Sequence, residues 1–284
     1  MASLEEVTAY CLEQFGEIEH ELSLFKSQVQ GWFDTHPKLS KCKPPIVHSV
    51  KSRLKDRDHL AEKISRKLIG DAINQAEERE GWISLEVFGS LTDLAGVRVL
   101  LLHQKQYGAV HSEIIKKINS GDWALHEEPK AYTWDPDSAS YFESLGIGTK
   151  VKDSHYTSVH YVIRPRAESP LVCEVQVRTL FEEIWGEVDH TLNYPSPTES
   201  VACKEQLRVL AKVVGAGSRL VDSIFNSAEV PTLRVEQPEG LHQHVEQSVV
   251  EHVGVIEAIP PTEKPAPETL PEGVPENPEI RIQR

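Results

Sequence analysis

The sequence predicts an α+β fold: about five strands set among helices, with a long helix in front and a Pro/Glu-rich tail behind. Three observations carry this. Short segments around Arg53, Val97, Trp123, Tyr161 and Val175 read as strands, from alternation or from short apolar runs. Segments at Leu4–Phe33, Gln106–Ile118, Thr179–Tyr194 and Val201–Phe225 instead repeat apolar residues every three or four positions, the helical period. The chain has no Walker A loop and no G-x-G-x-x-G, which excludes ordinary P-loop and Rossmann nucleotide binding.

The 284 residues allow one large or two small domains. A net charge of -14 argues against nucleic-acid binding through overall charge, although a local basic patch remains compatible with it. No apolar run is long enough to span a bilayer, and Met1–Glu6 is acidic and lacks a signal pattern, so a cytoplasmic location is expected. The four cysteines are scattered, with neither C-x-x-C nor zinc spacing.

From the N-terminus, Leu4, Val7, Cys11, Phe15, Ile18, Leu22, Phe25, Val29 and Trp32/Phe33 form one amphipathic helix, expected to pack on the domain or on another subunit. His36-Pro37 ends it, and residues 1–40 are set apart as this helical segment. Nine of the thirty Lys/Arg residues lie between Lys41 and Lys67. Ile46–Lys55 reads as extended with alternating charges, and Asp56 or Asp58 can cap a following helix that carries Lys63, Arg66 and Lys67. Either this is a solvated face or it is a polyphosphate clamp. Leu85–Phe88 leads through Gly89-Ser90 to Asp93 and a buried strand at Val97–Leu102. Asp93 either caps a turn or ligates Mg²⁺, with Gly96 allowing close approach. Gln106–Ile118 is a helix, Trp123–Tyr132 a strand, and Trp134–Gly148 a long polar loop suited to a lid or binding role.

Next, Tyr156, Ser158 and His160 share one face of a strand. Tyr156 either fills a sheet edge or stacks on a base, which is worth roughly 1–3 kcal/mol. Pro165–Pro170 turns the chain back. In Glu174-Val-Gln-Val-Arg178, alternation places Glu174, Gln176 and Arg178 on one face and two valines on the other. The polar face needs water, charges or a ligand. In the helix that follows, Phe181, Trp185, Val188 and Leu192 share one side, while Glu182, Asp189 and His190 fall elsewhere. Val201–Phe225 turns Leu207, Leu210, Val214 and Leu220 inward. Nine of eighteen prolines lie beyond Val230, in a segment (229–284) that reads as a disordered acidic tail after a domain spanning 41–228.

In order and spacing, these segments resemble the synthetase domain of the RelA/SpoT family, the (p)ppGpp or alarmone synthetases, over roughly Val47–Tyr194. Arg53-Leu-Lys55, Lys63 and Arg66-Lys67 are similar to its basic R-x-K…K…R-K segment. Asp93-Leu-Ala-Gly-Val-Arg98 is similar to D-x-x-G-x-R, His155-Tyr-Thr-Ser-Val-His160 to G-Y-x-S-x-H, and Glu174-Val-Gln-Val-Arg-Thr179 to E-x-Q-x-R-T. Trp185, Asp189-His190 and Tyr194 are similar to the closing W…E-H…Y-K. Departures are His155 for Gly, His59 for Ser, Asp189 for Glu and Pro195 for Lys. Glu183 stands nine residues after Glu174, where small members often place Asn; a carboxylate there accepts from guanine N1 and N2.

The resemblance implies a mixed central sheet of nucleotidyltransferase type and a small, synthesis-only enzyme without hydrolase or regulatory domains. It implies transfer of the ATP β,γ-pyrophosphate to the 3′-hydroxyl of GDP or GTP, releasing AMP. Arg53, Lys55, Lys63, Arg66 and Lys67 would hold the triphosphate, Asp93 and Glu174 Mg²⁺, and Glu174 would take the hydroxyl proton. Tyr156, His160, Glu183 and Asp189 would meet the acceptor nucleotide, with Arg98, Gln176, Arg178 and His190 in support. Small members are often oligomers, and the N-terminal helix is compatible with such an interface. Two other readings fit the departures: a toxin that pyrophosphorylates the tRNA 3′ CCA end or an adenine nucleotide, and a degenerate nucleotide binder. No membrane partner is expected.

Overall fold

The computed structural model describes residues 4–74, 85–152, 154–194 and 196–229. The Pro/Glu-rich tail and Pro195 lie outside the described residues. Among the described residues no helix is long and apolar enough to cross a membrane.

Six strands form one mixed sheet: β1 (Val47–Leu54), β2 (Ala95–Leu101), β3 (Ala124–Thr133), β4 (Gly148–Val151), β5 (Ser158–Arg164) and β6 (Cys173–Thr179), in the order β1-β2-β6-β5-β3-β4. β2 and β6 are parallel at the centre, and β1 and β5 flank them antiparallel. β3 is antiparallel to β5, and β4 is parallel to β3. Among the described residues, six helices accompany the sheet: α1 (Leu4–Thr35), α2 (Arg57–Asn74), α3 (Gln106–Asn119), α4 (Pro136–Ser144), α5 (Leu180–Asn193) and α6 (Val201–Glu229). Leu85–Ser90 forms a 3₁₀ turn.

The alternation in β6 sorts its side chains as the sequence predicts. Val175 and Val177 join Val97, Val99, Val159 and Tyr161 in one buried core. α1 packs against β1, β2 and β6, placing Val7, Cys11, Phe15, Leu22, Phe25, Val29 and Phe33 in that core. Asp56 is the residue that caps α2, its Oδ1 accepting from the backbone N–H groups of Asp58 and His59. Thr179 and Glu182 close a capping box at the start of α5.

The segment 134–148, expected as a loop, contains α4 and begins β4. Pro136 stands in the first turn after an extended Asp135, whose carboxylate accepts from Ser138 Oγ at 2.8 Å, and Phe142 is fully buried. The expected inner faces of α5 and α6 also shift. Trp185 and Glu183 are buried on α5, whereas Val188 and Leu192 are exposed. On α6, Leu207 and Val214 point inward with Ala211, Ser218 and Asp222, and Leu220 is 62% exposed. The cause is that α6 docks on polar partners as well as on Trp185: Asp222 Oδ1 pairs with His103 Nδ1 at 2.7 Å and accepts from the Lys105 N–H at 3.0 Å.

Candidate active site

The polar face of the sheet is built by register. Arg53 on β1 lies opposite Gly96 on β2, and Gly96 opposite Glu174 on β6. One row along, Lys51, Arg98, Gln176 and His160 pair across four strands. Residues remote in sequence therefore share one face because each strand alternates and the pairing keeps their phase.

Two cavities open on this face. The first, of about 290 Å³, is lined by Lys51, Arg53, Asp93, Arg98, Glu174 and Gln176, with Glu187 and His190 from α5. The second, of about 270 Å³, is lined by Tyr132, Lys152, Ser154, Tyr156, His160, Glu174 and Asp189. Glu174 lines both. A much smaller cavity of about 20 Å³ among α4, α5 and α6 includes neither Asp93 nor Glu174.

Asp93 sits between two lysines. Lys55 Nζ donates to its Oδ2 at 2.7 Å, and Lys63 Nζ lies 2.6 Å from Oδ1. Both oxygens of this carboxylate are thus engaged by ammonium groups. Burial opposes ionisation of Asp93, but Lys63 and Lys55 outweigh it and hold the carboxyl below its usual range. For Lys55, burial outweighs Asp93 and lowers the ammonium.

Burial likewise opposes ionisation of Glu174. Hydrogen bonds from His160 Nδ1 to Oε1 (3.0 Å) and from Gln176 Nε2 to Oε2 (2.6 Å) reverse the balance, and its pKa is lowered. Gln176 Oε1 accepts from Arg178 at 2.7 Å, and Arg178 also contacts Tyr156, Ser158 and Glu183.

The sequence-predicted residues divide on this geometry. Arg53, Asp93, Arg98, Glu174, Gln176 and His190 reach the first cavity, with Lys55 and Lys63 on Asp93; Tyr156, His160 and Asp189 reach the second. Four are not brought to either, Arg178 among them, held by Tyr156, Ser158, Gln176 and Glu183. Arg66 stands over the Tyr194 ring, 5.0 Å from its centroid, beside Glu62 and Ser65. Lys67 Nζ donates to Ser90, at 3.3 Å to its carbonyl oxygen. Glu183 is buried, with Oε1 on Lys51 (3.2 Å) and Arg98 (3.1 Å) and Oε2 on Arg178 (3.2 Å). Arg98 also pairs with Glu187.

Sequence reasoning passed over Lys51, Glu187, Tyr132 and Lys152. Lys51 carried a signal, since it precedes Arg53 by two in a strand. Tyr132 and Lys152 carried none: Tyr132 enters through its pairing with Ser158, and Lys152 stands 4.8 Å from the Tyr132 ring centroid as a cation–π partner.

Two carboxylates facing one cavity, Asp93 and Glu174, suit a hard cation such as Mg²⁺ that completes its shell with substrate phosphates and water. Among the described residues no three His, Cys, Asp or Glu side chains converge as a self-sufficient metal cage.

The fold has counterparts among solved structures. Solved structures of similar fold include two of small alarmone synthetase 1 from Bacillus subtilis, one of them bound to its product pppGpp. Both are 17% identical, cover 76% of this chain and 96% of that one, and have a TM-score of 0.52. A GTP pyrophosphokinase family protein from Streptococcus pneumoniae is 18% identical over 76% of this chain and 93% of its own, also with a TM-score of 0.52. The profile of the region found in RelA / SpoT proteins matches residues 52–199, more than half of the chain, and the chain belongs to the RelA/SpoT family. No curated protein matches it.

Proposed function

We propose that this chain transfers the β,γ-pyrophosphate of ATP to the 3′-hydroxyl of GDP or GTP, with Glu174 as proton acceptor. The observation that carries the reading is that Glu174 lines both cavities. On one side Lys51, Arg53 and Arg98 supply the charge a triphosphate needs, with Lys55 and Lys63 beside Asp93. On the other side, Tyr132 and Tyr156 offer aromatic surface, Lys152 a cation and Asp189 an acceptor for N–H groups of a base.

The acceptor oxygen attacks the β-phosphorus of ATP. A bond forms between that oxygen and phosphorus, the bond to the α,β-bridging oxygen breaks, and AMP leaves. The hydroxyl proton passes to Glu174, which hydrogen bonds from His160 and Gln176 hold in the ionised form. Mg²⁺ held by Asp93 and Glu174 would offset charge on the transferred oxygens. Lys55 and Lys63 balance Asp93 and hold the donor phosphates. His190 orders the α5 wall of the donor site by stacking on Tyr194 at 4.6 Å. Glu183 serves the site through the arginines it holds and leaves base recognition to Asp189.

The test follows labelled pyrophosphate from ATP in Mg²⁺, with GDP, GTP, ADP and deacylated tRNA offered in parallel. Label on GDP or GTP, abolished by Glu174→Gln, is the expected result. Label on tRNA or an adenine nucleotide would keep the chemistry and move the acceptor. ATP binding without transfer to any acceptor would overturn the reading in favour of a binding module.

A further inference from the structure

Five side chains on β6, on β5 and just before β5 form a closed circuit of hydrogen bonds. Glu174 Oε1 meets His160 Nδ1 at 3.0 Å, and His160 Nε2 meets Tyr156 Oη at 2.9 Å. Tyr156 Oη meets Arg178 Nη2 at 2.5 Å, Arg178 Nη2 meets Gln176 Oε1 at 2.7 Å, and Gln176 Nε2 returns to Glu174 Oε2 at 2.6 Å. The circuit closes because β5 and β6 are antiparallel with His160 opposite Gln176, so His160 reaches diagonally to Glu174 and Tyr156 to Arg178.

Counting donors fixes the directions at Arg178 and Gln176, and the circuit runs one way throughout when Tyr156 donates to His160. A guanidinium only donates, so Arg178 Nη2 spends its two hydrogens on Tyr156 Oη and Gln176 Oε1. The amide oxygen of Gln176 then faces the cation and its NH₂ faces the carboxylate. Tyr156, having accepted from Arg178, can give its own hydrogen to His160 Nε2; in that arrangement His160 carries its hydrogen on Nδ1 and donates it to Glu174. Two chains of donors leave one guanidinium and end on the two oxygens of one carboxylate.

We propose that Tyr156 and His160 are positioning residues for Glu174: the Tyr156 hydroxyl fixes the His160 tautomer, and His160 fixes the carboxylate. The proposal rests on Glu174 as the proton acceptor described above. It gives Tyr156 a task separate from stacking on a base. A role confined to stacking needs only the ring, and phenylalanine would serve equally well.

The test uses the full chain with ATP, GDP and Mg²⁺ at one fixed pH, with thermal melting to verify that each variant is folded. Tyr156→Phe is expected to lower kcat about 10-fold or more while KM for the acceptor stays within about twofold. His160→Asn, which keeps an N–H near the place of Nδ1, should retain more turnover than His160→Leu. Nitrogen-15 NMR of the histidines, with His160→Asn identifying the signal, should show His160 protonated at Nδ1 in the wild type and lose that preference in Tyr156→Phe. A Tyr156→Phe enzyme with unchanged kcat, or a wild-type His160 protonated at Nε2, overturns the proposal. Full turnover in Glu174→Gln would overturn the functional reading instead. The NMR result decides the tautomer whether or not the chain transfers pyrophosphate to GDP.

Discussion

A carboxylate with three cations on its two oxygens has little left for a ligand, and Glu183 is in that position. Only about 5% of its surface reaches solvent. Burial alone would raise its pKa, but Arg98 and Arg178, then hydrogen bonds from Lys51 and Arg98, bring it below the ordinary value. An acid whose folded pKa lies below its unfolded value of about 4.3 stabilises the fold fully above that pH. The contribution disappears as pH falls through the folded pKa. Glu183→Gln should therefore be less stable than wild type at pH 7, by about 3 kcal/mol, because it leaves cations uncompensated. The gap should narrow as pH falls below about 4.3 and close only below the depressed folded pKa, where the wild-type carboxylate also protonates. Urea denaturation across a pH series reads this directly. A gap that does not vary with pH would mean that Glu183 acts through packing, not charge.

At the scale of the element, α5 brings Glu183, Glu187, Asp189 and His190 over the sheet, and one glycine sets how closely it approaches. A Cβ at Gly186 would stand 2.9 Å from Arg178 Nη1, the movable end of a long side chain. Alanine in mid-helix is also favoured over glycine by about 0.8–1 kcal/mol. Gly186→Ala should thus leave the melting temperature equal or higher, yet lower kcat by displacing the guanidinium that orders Tyr156 and Gln176. Gly217→Ala on α6 should behave the other way. Its Cβ would meet the Phe181 ring at 2.6–3.1 Å, and overpacking of about 1–3 kcal/mol is expected without any direct effect on the carboxylates. Calorimetry and turnover on the pair separate the two outcomes. The same elements show what the sequence makes legible. Glu174, Gln176 and Arg178 declare their common face by alternation, and Arg53 and Asp93 by motif. The inner faces of α5 and α6 depart from the apolar spacing because Glu183 and Asp222 point inward to polar partners. Tyr132 and Lys152 were invisible because β3 and β4 reach the site only through long-range pairing.

At the scale of the molecule, the sheet separates two environments, and each face depends on the other. The polar face can carry so many charges only because the opposite face supplies the stability of the unit, and α1 provides much of that. Seven α1 side chains, Val7, Cys11, Phe15, Leu22, Phe25, Val29 and Phe33, are each 3% exposed or less. At about 1.5–3 kcal/mol for each large apolar side chain buried, their sum is comparable with the total stability of a typical domain, about 5–15 kcal/mol. α1 also holds the strand that bears Lys51 and Arg53: Lys26 Nζ donates to Ser52 Oγ at 3.2 Å, and Ser52 Oγ donates to Gln30 Oε1 at 2.6 Å. A chain lacking residues 1–35 is therefore expected to lose cooperative unfolding and ATP binding together, as read by thermal melting and calorimetric titration. A truncated chain that melts cooperatively and still binds ATP would show α1 to be an attachment to a domain already complete. Supplying the missing helix as a separate peptide should restore both signals, because the apolar face needs the helix as a surface and not as a covalent extension.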